Sequence, residues 1–209
     1  MFANPFGAEF RRFENREHEG KPARVVVAAR AYDTDPDDLW DALTSRERIP
    51  RWFLPIEGDL RLGGRYQLTG NAGGTITRCD PPQAIDLTWE FGGGTSWVTI
   101  RLAPEGARTL LTLEHIVHAS DVDEHWARFG PGAVGVGWDL AFLGLGQHLA
   151  NRGASVDREA ANTWMGSDEG RAFMRASADA WGSVHIAAGE DPATARGMAE
   201  RTAAAYTGG

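Results

Sequence analysis

A chain of 209 residues, 42% hydrophobic and 24% charged, has the composition of a water-soluble globular protein with room for a substantial core. Its formal charge of -8 and pI near 5.2 exclude nucleic acid and anionic membrane surfaces as expected partners, because both demand a basic face. The single cysteine, Cys79, excludes an internal disulfide, and no apolar run reaches the roughly eighteen residues of a membrane span. The N-terminus lacks the cationic-then-apolar pattern of a secretion signal, so a cytoplasmic location is expected. Eight tryptophans suit a heavy core or a pocket for flat apolar molecules.

In chain order, Phe2, Phe6, Phe10 and Phe13 are spaced so that a helix over residues 1–22 would carry all four rings on one side. Such a segment would dock on its own domain or on a partner. RVVVAARAY, from Arg24 to Tyr32, is β-branched enough for a first strand. Asp33, Thr34 or Asp35 then caps a helix with Pro36 in its first turn and Leu39, Trp40 and Leu43 on its apolar side. Ser45 opens a second short helix that reaches Trp52 and Phe53 before Pro55 stops it.

A succession of strands follows. RYQLTG, TITRCD, AIDLTWEF, SWVTIRLAP and RTLLTLEHIVH alternate apolar and polar residues and are separated by turns at Asn71–Gly74, Pro81-Pro82, Gly92–Gly94 and Glu105-Gly106. Ile85, Leu87, Trp89 and Phe91 share one face of the clearest of them. Tight turns at this spacing predict an antiparallel meander, and a sheet with one apolar face needs a cover. The segment 121–151 supplies it: Trp138, Ala141, Phe142, Leu145 and Leu149 recur at helical spacing. Six glycines between Gly130 and Gly146 each cost about 1 kcal/mol against Ala in a helix interior, so they serve close approach, a kink or open space beside the helix. Beyond Asn151, Asp157 and Ser167 cap helices, Phe173, Trp181 and Val184 mark an amphipathic face, and Asp191-Pro192 starts a last helix. The chain thus divides into an N-terminal segment 1–23, a sheet-and-helix domain 24–154, and a helical extension 155–209 that packs on the domain or on a second subunit as a homodimer.

One strand, two short helices, a run of antiparallel strands and a long covering helix is the order of the helix-grip fold, an α+β architecture. WDALTSRERIPRWFLPIEGDLRLGGRYQLTG, DPPQAIDLTWEF, TLLTLEHIVH and GWDLAFLGLGQHL resemble the family related to the C-terminal domain of the activator of heat-shock protein 90 ATPase, within the START-like (SRPBCC) superfamily. The resemblance covers roughly 24–151. It implies an internal apolar cavity between sheet and long helix and no shared reaction. The chaperone-activating relatives carry a large N-terminal domain that the 23 residues before the first strand cannot hold, so chaperone regulation is not expected to carry over.

The cavity walls are expected from the strand residues Tyr66, Leu68, Trp89, Phe91, Trp97, Leu113 and His115. Trp52, Phe53, Trp138, Phe142 and Leu145 complete them from the helices. Tyr66 and His115 are the orienting polar groups; alternation with Val98 allows Trp97 to point outward. The expected function is binding or sensing of a small, largely apolar or aromatic ligand. The alternatives are a cyclase- or hydrolase-like enzyme in the same cavity, drawing on Arg65, Tyr66, Arg78, Glu114, His115 or Asp139, and a protein-interaction or chaperone-cofactor module. His115, His118, Asp121, Asp123 and His125 lie close in sequence, but residues three apart on a strand diverge, so no metal site is expected. Cys79 has no nucleophile motif around it, and Gly92–Gly94 lacks the Lys and Ser/Thr of a phosphate loop, so no cofactor is expected.

Overall fold

The computed structural model describes residues 8–121 and 124–209. Two strands open the chain, β1 (Phe10–His18) and β2 (Lys21–Tyr32), followed by helices α1 (Pro36–Thr44) and α2 (Ile49–Trp52). Six strands follow: β3 (Ile56–Gly58), β4 (Arg65–Leu68), β5 (Gly73–Asp80), β6 (Ala84–Phe91), β7 (Gly94–Glu105) and β8 (Arg108–His118). The helices α3 (Glu124–Phe129), α4 (Gly132–Ala150), α5 (Arg158–Met165), α6 (Asp168–Ala187) and α7 (Pro192–Thr207) complete it. The eight strands form one sheet in the order β1-β2-β8-β7-β6-β5-β4-β3, with β3 to β8 each pairing antiparallel to the next. This is the helix-grip α+β fold.

Two expectations are corrected. Phe10 and Phe13 lie on a strand, not a helix, while Phe2 and Phe6 fall outside the described residues. Residues three apart on a strand face opposite ways, so Phe10 is 60% exposed and Phe13 only 6%. The signal for the strand is the turn Glu19-Gly20, both residues at positive φ, which suits the tight hairpin that joins β1 to β2. The long covering segment also breaks in two: Gly130, at φ +60, ends α3, and Pro131 lies between it and the start of α4.

The helix starts follow their caps. Asp35 accepts from the Asp38 amide at 2.9 Å, Ser167 from Gly170 at 3.2 Å, and Asp191 from Thr194 at 2.8 Å ahead of Pro192. Asp157 accepts from both the Glu159 and Ala160 amides.

The chain forms two compact units. The terminal unit comprises residues up to Ala28, His118–Leu140 and Asp157–Gly209; the sheet unit comprises Ala29–Val117 and Ala141–Val156. In the terminal unit α6 packs against α5, α7 and β1, and α3 packs on α7. Trp181, Phe173 and Met174 of α6 are buried, and Phe13 meets the His185 ring edge-on at 4.9 Å. A polar cluster lies in this core: the buried Asp139 carboxylate accepts from Arg11 Nε at 2.8 Å, Trp181 Nε1 at 3.1 Å and the Ser177 hydroxyl. Glu9 holds a second side of the Arg11 guanidinium at 3.1 Å. Burial pushes the Asp139 carboxyl above its ordinary range, against the lowering pull of Arg11 and Ser177.

The glycines of α4 serve close approach. A methyl group at Gly135 would collide with the Trp181 indole in the terminal unit, and one at Gly144 would lie 2.7 Å from the Trp52 carbonyl oxygen in the sheet unit. Each of the other glycines between Gly130 and Gly146 has a side-chain atom within 3.3 Å of the same hypothetical position. Of the three readings open from sequence, neighbours pressed against the helix backbone is the one observed along α4, while Gly130 marks a break.

Candidate ligand-binding site

The strand registers sort the sheet residues of the sheet unit into two faces. Directly paired residues of antiparallel strands share a face. Ile56 pairs with Leu68, Ile76 with Leu87, Cys79 with Ile85, Leu87 with Val98, Ile85 with Ile100, Val98 with His115 and Ile100 with Leu113. Tyr66, Leu68, Trp89, Leu113 and His115 therefore lie on one inward face, as alternation along each strand predicts. The opposite face carries the charges: Arg65 with Glu90 at 2.7 Å, Arg78 with Asp80 at 2.6 Å, and Arg101 with Asp86.

On the inward face Tyr66, Leu68, Ile76 and Ile85 form a buried cluster. Around it pack Trp40 of α1, Phe53 and Leu54 after α2, Ile56, Leu60, Cys79, Leu87, Trp89 and Ile100, each of which keeps part of its surface accessible. Leu87, Trp89 and Ile100 are central strand residues pointing inward. Their neighbours Ile85, Val98 and Leu113 on the same face are buried. Trp52 borders it: its indole N–H donates to the Ala42 carbonyl at 2.9 Å and its ring stacks on Phe53 at 5.4 Å.

Three polar groups punctuate this face. The Tyr66 hydroxyl donates to the Thr88 carbonyl at 2.8 Å, and burial holds its pKa well above the usual phenol range. The Ser96 hydroxyl donates to the Trp89 carbonyl at 3.1 Å and lies 2.9 Å from His115 Nε2. With the serine proton given to the carbonyl, the Nε2 proton of a neutral imidazole completes the chain. Burial lowers the His115 pKa to about 4, and the Trp89 ring stands edge-on to it at 6.0 Å. Tyr66 and His115 thus serve separate partners.

Not every expected wall residue lies here. Phe91, the last residue of β6, is 62% exposed, because it pairs with Gly94 at the hairpin end, beyond the reach of any cover. Trp97 pairs with Thr88 and Ile116 and so sits on the outward face. Trp138 is half-buried in the first half of α4, which belongs to the terminal unit. Phe142 and Leu145, in the second half of α4, are buried in the sheet unit; the Phe142 carbonyl accepts from the Tyr32 hydroxyl at 3.1 Å and its ring meets the Tyr32 ring edge-on.

Of the ionisable candidates for catalysis, Arg65, Arg78 and Glu114 face outward and Asp139 lies in the terminal unit. Asp123 falls outside the described residues, and among those described no three His, Cys, Asp or Glu side chains are placed to hold a metal ion. His118 Nε2 is 3.2 Å from the His18 carbonyl.

Sequence reasoning missed Trp40, Leu54, Leu60 and Ser96. Leu39 and Trp40 read alike on the apolar side of α1, yet only Trp40 meets this cluster. Ser96 is legible only once β6 and β7 are in register, where it stands opposite Trp89. A further anchor went unread. His148 of α4 is wholly buried, with Nδ1 at 2.8 Å from the Ala154 carbonyl, and it accepts from Arg48 Nε at 3.2 Å. Arg48 also binds Asp38 at 2.6 Å and Asp41 at 3.0 Å, which ties the end of α4 to α1.

A helix-grip sheet whose apolar inward face keeps part of its surface accessible is that of a START-like protein. Residues 33–150 match the sequence model of the Activator of Hsp90 ATPase homolog 1-like proteins, and the chain belongs to that family. Among solved structures, the crystal structure of CalU16 from Micromonospora echinospora is 32% identical, with a TM-score of 0.68 over 85% of this chain and 98% of that one. The solution structure of CalU16 gives 31% identity and a TM-score of 0.71 over 89% and 100%. Both likenesses span more of the chain than residues 33–150, so they take in segments flanking the family match. Protein MLL2253 from Mesorhizobium loti, 24% identical with a TM-score of 0.55 over 61% and 98%, shares the fold. No curated protein matches the chain.

Proposed function

We propose that the protein binds a small, largely apolar molecule on the inward face of the sheet unit, as a carrier or sensor. The observation that carries this reading is the accessible surface kept by Leu87, Trp89 and Ile100 at positions where a filled core would have none. Apolar surface that water can reach is unfavourable by about 25 cal/mol per Å², and a ligand that covers it recovers that energy. An enzymatic use of the same face finds less support, since the Tyr66 and Ser96 protons go to backbone carbonyls and burial opposes charge on His115.

The test is Nile red emission with the full chain. Binding should raise and blue-shift it, Trp89→Ala should weaken the effect at least fivefold, and Trp97→Ala, on the outward face, should leave it unchanged. No emission change with the unmodified chain, or equal losses in both variants, would refute the reading.

A further inference from the structure

We propose that His148 and Arg48 form an acid-sensitive clasp: a neutral imidazole holds the C-terminal end of α4 on α1 and α2, and a proton on it frees that end. The clasp stands on its own geometry. Its consequence, easier passage of a small molecule to the inward face, rests on the ligand-binding reading above.

His148 has no solvent-exposed surface, and both of its ring nitrogens are used. Nδ1 lies 2.8 Å from the Ala154 carbonyl, which can only accept, so Nδ1 carries the proton. Nε2 faces Arg48 Nε at 3.2 Å, which can only donate, so Nε2 is the bare nitrogen. The contact therefore exists in one protonation state. A second proton would set two donors and two like charges against each other at that distance, and the contact must part.

The rest of the cluster decides where it parts. Arg48 keeps three acceptors on α1: Asp38 Oδ1 at 2.6 Å, Asp41 Oδ2 at 3.0 Å and the Asp38 carbonyl at 3.1 Å. The guanidinium stays with α1, and the α4 side loses its partner. The ties that remain belong to Arg51 of α2, whose side chain donates to the Gly153 carbonyl at 3.1 Å and whose carbonyl accepts from the Val156 amide at 2.7 Å. Burial lowers the His148 pKa below the ordinary imidazole value; Arg48 and Arg51 lower it further, while the Ala154 carbonyl and Asp38 raise it. The clasp is thus closed at neutral pH and opens only on acidification. Its place matters for the inward face. Trp40 of α1 and Phe53 and Leu54 after α2 pack on the inward cluster, and the Trp52 carbonyl lies against Gly144 of α4. Loosening the end of α4 from α1 loosens these neighbours too.

Hydrogen exchange on the full chain at pH 7.5 and pH 5.0 tests this, each amide rate being divided by its intrinsic rate at that pH. His115, with a pKa of about 4, stays neutral over this span. Protection of the Gly153 and Val156 amides should fall at least tenfold at pH 5.0, and His148→Gln should show no such fall. Equal protection at both pH values, or the same fall in a folded His148→Gln chain, overturns the clasp. If the variant does not fold, the nitrogen-15 shifts of the His148 ring in the unmodified chain decide. Proton uptake that coincides with lost protection supports the clasp; uptake without that loss, or no uptake by pH 5.0, overturns it. Nile red should leave the unmodified chain at least fivefold faster at pH 5.0 than at pH 7.5. No Nile red binding at either pH, with exchange as expected, supports the clasp and refutes the ligand-binding reading.

Discussion

His115 illustrates how a single side chain is set by its surroundings. Its imidazole is buried against Trp89 and Ser96, and desolvation lowers its pKa from 6.5 to about 4. The native state therefore binds fewer protons than the unfolded chain between these values, so the stability tied to His115 is present above pH 6.5 and is lost as pH falls toward 4. At 1.36 kcal/mol per pH unit the full effect is about 3 kcal/mol. Burial moves His148 and His185 the same way and raises Asp139, which acts with the opposite sign. The clean measurement is thus a difference: urea unfolding of the unmodified chain and of His115→Gln at pH 7 and pH 4.5. The unmodified chain should lose about 2 to 3 kcal/mol more than the variant over that range. Equal losses would mean that His115 is hydrated in the native state. Histidine identity was legible from sequence, as was its place on the inward side of β8; the serine opposite it was not, because Ser96 reaches it across strands.

At the scale of an element, α4 shows why composition misleads when read alone. Glycine in a helix interior is unfavourable by about 1 kcal/mol relative to alanine, so Gly→Ala should stabilise an isolated helix. Here the sign reverses. A methyl at Gly144 meets the Trp52 carbonyl at 2.7 Å, and one at Gly135 meets the Trp181 ring. Gly135→Ala and Gly144→Ala are each expected to destabilise the protein by about 1 to 3 kcal/mol, the usual range for overpacking. Thermal unfolding measures it; a raised midpoint in both variants would show that open space flanks the helix after all. The strand β1 teaches a related lesson. Its phenylalanine spacing fits a helix, and Glu19-Gly20 is a weak turn signal on its own, but pairing with β2 satisfies the backbone of both segments and overrides side-chain periodicity.

For the whole molecule, the division into units follows the contacts and not the sequence order. The terminal unit draws on both ends of the chain and on His118–Leu140 between them. The apolar face of α6 is consumed within that unit, with Trp181, Phe173 and Met174 buried. A chain ending at Asn151 loses α5, α6 and α7, and with them the Ser177 and Trp181 donors of Asp139 and the His185 partner of Phe13. Such a chain is expected to sediment as aggregate or to lose its near-ultraviolet dichroism. A compact monomer with native-like dichroism would instead mark residues 155–209 as an independent appendage. No helix among the described residues is long and apolar enough to cross a membrane.

The sequence by itself determined most of the element order from the first β-branched strand to the last helix, short of β3 and of the break between α3 and α4, because alternation, helical spacing and caps are local properties of neighbouring residues. It also determined which side of the central strands is apolar, and with the family's motifs it specified the helix-grip fold. Only the tertiary structure decided what each face meets. It turned Trp97 outward and left Phe91 at an open hairpin end, placed Trp181 and the Trp52 carbonyl against the glycines of α4, and joined Ser96 to His115. Those outcomes depend on register and on close approach between segments far apart in the chain, and no local pattern encodes the distance between two such segments.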